Sequence, residues 1–126
     1  MLDLPLAYLH RPAGAGVSPP WLLVLMHGVG SNEQDLFGLA PYVPAPFHVL
    51  SLRAPYRMGP TAHAWFDFAV APDGTRSINE PQEIRSRALV GQTVDAAARQ
   101  LGIPAARVVA GGFSQGGTVF SAKSQH

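Results

Sequence analysis

The run Trp21-Leu22-Leu23-Val24-Leu25-Met26 constrains the fold more than any other stretch of this chain. It places six apolar residues in succession with no polar alternate, and His27-Gly28 stops it. That pattern predicts a strand with apolar side chains on both faces. Such a strand must be covered on each side, and the usual solution is helices packed on both faces of a mostly parallel sheet.

The rest of the chain fits that solution. Leu6 to Leu9 is a short strand candidate, and Gly14 to Pro20 a turn-rich connector. Ser31 to Tyr42 begins like a helix, with Ser31 or Asn32 as cap and Glu33 and Asp35 in a first turn whose dipole favours anions. Phe47 to Leu52 is a second strand, and Pro55 to Thr75, rich in aromatics, Gly and Pro, is expected to be a long loop. Asn79 offers the N-cap of a helix running to about Leu101. Its expected apolar or small face is Ile84, Ala88, Gly91, Val94, Ala98 and Leu101, at spacings of three or four. Gly102 is placed to end that helix, and Pro104 prevents its continuation. Arg107 to Gly112 (RVVAGG) is the third core strand. This order predicts one α/β domain over residues 1–126, built on a doubly wound, mostly parallel sheet. Ligands of such sheets sit at the carboxyl ends of the strands. Two Gly-rich segments lie there, His27 to Ser31 and Gly112 to Gly117.

Composition excludes several classes. With 47% hydrophobic and 13% charged residues the chain is globular, not disordered. A net charge of +1, with both signs mixed along the chain, argues against a nucleic-acid or membrane surface. The absence of cysteine removes disulfides, thiolate metal sites and a cysteine nucleophile. Met1 to Pro12 does not have the form of a signal peptide, and no apolar run is long enough to span a bilayer, so a cytoplasmic protein is expected.

Gly112-Phe113-Ser114-Gln115-Gly116 fits G-x-S-x-G. In that motif the serine occupies a strained strand-to-helix turn, and side chains at the glycine positions would clash. The helix N-terminus behind it favours a developing negative charge. Chance gives such a match on the order of a few per cent of the time; its position directly after Val108 and Val109 sharpens it. The plainer alternative is a Gly-rich turn whose serine caps a helix. Phosphate-binding readings fail at the residue that would do the work. Thr118 stands where a P-loop needs lysine, and Glu33 where a dinucleotide fingerprint beginning at Gly28 and Gly30 needs its third glycine. The segment His27-Gly28-Val29-Gly30 is a natural second half of an oxyanion hole, and the Gln115 N–H would supply the other donor. His27 is expected to pack and hold this loop by hydrogen bonds, because the catalytic histidine of such folds follows the serine.

Taken together, LMHGVGSNEQDL, LRAPYR, AWFDF and IPAARVVAGGFSQGG resemble the phospholipase/carboxylesterase family that includes the acyl-protein thioesterases, from about Leu6 to Gly117. The resemblance implies an α/β-hydrolase acting on a small-molecule ester or acyl thioester, with no metal or cofactor. It implies Ser114 as nucleophile, Val29 and Gln115 as backbone oxyanion donors, and Trp65 with Phe66 as candidates to line an acyl pocket. Plain core packing is the alternative for these two aromatics. His27, Gly28, Gly112 and Gly116 would shape the site, and Asp67 would be a structural loop carboxylate. The chain departs from the family pattern after the elbow. Twelve residues follow Ser114, none of them Asp or Glu, and the last carboxylate is Asp95. His126, at the terminus and without an acidic neighbour, is a poor substitute base. The expectation is therefore a C-terminally truncated α/β-hydrolase domain, weakly active at most as it stands. Its unpaired Val108–Ala110 strand edge would favour self-association. A non-catalytic fragment or acyl-binding module is the competing reading.

Overall fold

In the computed structural model, which describes residues 2–14, 16 and 19–112, three parallel strands and one antiparallel strand make the central sheet. Strand β1 is Tyr8–Arg11, β2 is Trp21–Met26, and a short helix α1 covers Glu33–Phe37. Strand β3, Phe47–Leu52, follows. Then come β4 (Tyr56–Arg57), β5 (His63–Ala64), β6 (Phe68–Val70) and β7 (Arg76–Ile78), the long helix α2 (Glu80–Leu101), and β8 (Val108–Gly112). The sheet order is β1-β3-β2-β8, with β1 antiparallel to β3 and both β3 and β8 parallel to β2.

Strand β2 is covered from both sides, as its unbroken apolar run requires. Successive side chains alternate between faces. Leu22, Val24 and Met26 join Leu50, Leu52, Val90 and Ala97 in the core beneath α2. Leu25 joins Val49, Leu36 and Ala40 on the α1 side. Ser51, a polar residue of β3, is buried on that second face and donates its hydroxyl to the Glu33 carbonyl at 2.7 Å.

Both ends of α2 follow from local chemistry. Asn79 Oδ1 accepts the Gln82 N–H at 3.1 Å, satisfying one orphan donor of the first turn. Gly102 sits at φ 70°, in the left-handed region. Its N–H donates to the Arg99 carbonyl at 3.2 Å and the Ile103 N–H to that of Ala98 at 2.8 Å, a Schellman closure.

Four sequence expectations need correction. The first strand is Tyr8–Arg11 rather than Leu6 to Leu9. The last begins at Val108, because Ala105–Arg107 forms a single 3-10 turn from which Arg107 donates to the Pro20 carbonyl. The segment from Pro55 to Thr75 is not one loop: it holds β4, β5, β6 and the start of the β6–β7 pair, too short for any period-two pattern to register. The buried face of α2 is also rotated from the apolar one. Glu83, Ser86, Val90, Gly91, Thr93 and Ala97 are buried, whereas Ala88 is exposed and Ile84 is 55% exposed. One cause is polar: Ser86 donates its hydroxyl to the Trp65 carbonyl, which holds its side of the helix inward, while Glu83 is paired within the helix with Arg87 at 3.0 Å. Hydrophobic periodicity gives no weight to such groups. Val94, Ala98 and Leu101 do pack against the core at the far end of the helix.

Candidate active site

The parallel register sets the site. Met26 lies opposite Gly112, so β2 and β8 end side by side and their Gly-rich continuations leave from adjacent points of the sheet. Gly112 is the last described residue of this second segment; Ser114, Gln115 and Gly116 lie outside the described residues.

The segment after β2 is held from every side. His27 has no exposed surface, and both of its ring nitrogens are engaged. Nε2 accepts the Ala54 N–H at 3.0 Å, which requires that nitrogen to be unprotonated. The proton therefore sits on Nδ1, 2.7 Å from the Gly28 carbonyl. Burial lowers the imidazole pKa and so favours the neutral ring, an effect that the hydrogen bond to Gly28 only partly counters. The His27 carbonyl accepts the indole N–H of Trp65 at 2.8 Å, and the two rings lie 5.6 Å apart, tilted by 31°. Trp65 is wholly buried and Phe66 is nearly so; neither is found at an open surface of the described structure. The carbonyl of Trp65 is in turn held by Ser86 of α2. A chain of contacts thus runs from α2 through Trp65 to the backbone of His27.

Further along, Gly30 adopts φ 78°, which a glycine accepts without strain. Its N–H donates to the His63 carbonyl at 2.9 Å, the His63 N–H to the Ser31 carbonyl at 2.8 Å, and the Ser31 N–H to the Gly28 carbonyl at 3.2 Å. Val29 stands at the crest of this turn, half-exposed. Among the described residues no acceptor is found for its N–H. The turn therefore fixes Gly30 and Ser31 and, among the described residues, leaves the Val29 N–H uncommitted at the end of β2.

Asn32 caps α1, accepting the Gln34 N–H at 2.9 Å, and Asp35 accepts the Ser31 hydroxyl at 2.8 Å. Glu33 does more than complement a dipole: it is buried and forms an ion pair with Arg53. Burial pushes its carboxyl upward, but the Arg53 hydrogen bond, its own backbone N–H and the nearby positive charge outweigh that and hold it below the usual carboxylate value. His63, Ala54 and Ser86 carry no sequence signal for their parts in this arrangement, because each acts through a contact distant along the chain. Asp67 is exposed; its backbone N–H is taken by Gln82 Oε1 at 2.7 Å and its carbonyl by the Asn79 N–H at 2.8 Å. Among the described residues no group of three or more His, Asp or Glu is placed to hold a metal. None of the described helices is long and apolar enough to cross a membrane.

Comparison with known proteins agrees with this architecture. A carboxylesterase from Bacillus cereus superposes with a TM-score of 0.71 at 24% identity, covering 94% of this chain and 52% of that one. A carboxylesterase from Mesorhizobium loti gives 0.74 at 23% identity, covering 98% and 56%. Acyl-protein thioesterase 2 from Zea mays gives 0.63 at 23% identity, covering 94% and 50%. The chain thus spans about half the length of these structures, and the likeness shows the α/β-hydrolase fold. The family model described as Phospholipase/Carboxylesterase matches residues 16–124, and this chain belongs to that family.

Proposed function

We propose that this chain carries the nucleophile and the oxyanion-binding elements of a serine hydrolase acting on carboxylic esters or thioesters. The observation that carries the reading is the register of Met26 with Gly112, together with the uncommitted N–H of Val29. It sets the oxyanion-loop candidate beside the strand that leads, two residues later, to Ser114.

In this reading the Ser114 hydroxyl attacks the carbonyl carbon, and its proton passes to a histidine base. The carbonyl oxygen becomes an oxyanion held by the N–H groups of Val29 and Gln115. Collapse of that intermediate expels the alcohol or thiol and leaves an acyl group on Ser114, which water then removes as the acid. His27 is not the base, since both of its nitrogens are engaged below the loop. It is a positioning residue: with Trp65 it fixes the backbone that presents the Val29 N–H. Preorganised donors of this kind matter because they need no rearrangement as charge develops.

The test uses the protein as its gene encodes it. A fluorophosphonate should label Ser114 covalently, and Ser114→Ala should abolish both the label and turnover of a short aryl ester. Label on another residue, or full turnover in Ser114→Ala, would remove Ser114 from the role.

A further inference from the structure

Arg53, Arg57 and His63 line two adjoining cavities at the carboxyl end of β3, each of about 320 Å³. Glu33 contributes to the first and Arg85 to the second, whose lining includes no carboxylate among the described residues. Glu33 is already paired with Arg53. Among the described residues the two cavities together thus hold three arginines and one carboxylate, in a chain whose formal net charge is only +1. Two of the guanidinium groups have further contacts: Arg57 Nε donates to the Gly59 carbonyl at 3.0 Å, and Arg85 lies 5.9 Å from the centre of the Tyr56 ring. Neither arginine is in an ion pair among the described residues. His63 Nδ1 is buried without a hydrogen-bond partner among the described residues, an unmet need beside the cavities. Burial and the charge of Arg53 lower the His63 pKa, so the ring contributes no charge of its own at neutral pH.

The position matters as much as the charge. The His63 backbone is bonded to Gly30 and Ser31, so these cavities adjoin the loop that presents Val29. We propose that the Arg53–Arg57–Arg85 cluster is an anion-recognition subsite that selects ester substrates bearing a carboxylate or phosphate group away from the scissile bond. This deepens the serine-hydrolase reading and rests on it. Charge-assisted hydrogen bonds from guanidinium forks are suited to both anions.

The experiment compares monoethyl succinate with ethyl butyrate on the protein as its gene encodes it, following acid release. The ratio of kcat/KM, anionic to neutral, should exceed one. Arg57→Gln and Arg85→Gln should each lower it about fivefold, mainly through KM, and the double variant should lower it more. A ratio at or below one, or one that neither variant changes, overturns the proposal. A second arm measures succinate and inorganic phosphate binding to the Ser114→Ala protein by calorimetry. Binding of either anion that weakens with Arg57→Gln supports the subsite even if no ester is turned over, and then only the hydrolase reading falls. The stronger binder separates a carboxylate from a phosphate substrate. Binding of neither anion overturns the subsite.

Discussion

Replacing His27 with phenylalanine isolates the hydrogen bonding of the oxyanion loop, because the ring is kept and its two polar atoms are lost. The Ala54 N–H, on a residue with no exposed surface, then has no acceptor. Leaving such a buried donor unpaired costs about 1–3 kcal/mol. The carbonyl of Gly28 loses its partner too, but Gly28 is half-buried, so water replaces part of that bond and the added loss is about 0.5–1 kcal/mol. The tilted ring contact with Trp65, 5.6 Å away, is retained by the new ring. The expected destabilisation is therefore about 1.5–4 kcal/mol, a large fraction of the roughly 5–15 kcal/mol available to a typical domain. Urea denaturation reads it directly. With an m-value of about 1–3 kcal/mol/M, the midpoint should fall by about 0.5–4 M without a change in slope. A loss below about 1 kcal/mol would mean that Ala54 and Gly28 find other partners, and that His27 does not hold the loop as described. A variant as stable as the parent but without esterase activity would instead place His27 in the chemistry.

Stability should also depend on pH in one direction. His10, His27, His48 and His63 all lie below the ordinary imidazole value of 6.5, burial being the first cause in each. The unfolded chain thus takes up protons at a pH where the folded one does not. Their contribution is complete above about pH 6.5 and is lost as pH falls from there toward the folded values. Tm should be lower at pH 5.5 than at 7.5; a flat or inverted profile would show that these rings are not neutral in the fold. At the end of α2, Gly102→Ala meets no atom within 4 Å, so its cost is backbone strain alone at φ 70°. A loss of about 1 kcal/mol is expected, with Tm down by roughly 4 °C; a neutral or raised Tm would assign the position to unfolded-chain entropy instead.

The sequence by itself determined the skeleton wherever a short stretch carries its own physics. An unbroken apolar run made Trp21–Met26 a strand covered on both faces, and Phe47–Leu52 and the caps Asn32, Asn79 and Gly102 likewise sit where local chemistry put them. The two Gly-rich segments at strand ends were legible for the same reason. Only the tertiary structure decided what depends on contacts far apart in the chain. The pairing of Met26 with Gly112, which brings those segments together, joins residues separated by most of the chain. The bonds from Ala54 to His27, from Trp65 to the His27 carbonyl and from Ser86 to the Trp65 carbonyl are likewise non-local. So is the turning of α2 that buries Ser86 and Thr93 and leaves Ile84 in solvent. A hydroxyl or an imidazole has no preferred depth of its own. Ser86 and His27 are buried because distant groups bond them, and those partners exist only once the chain has folded.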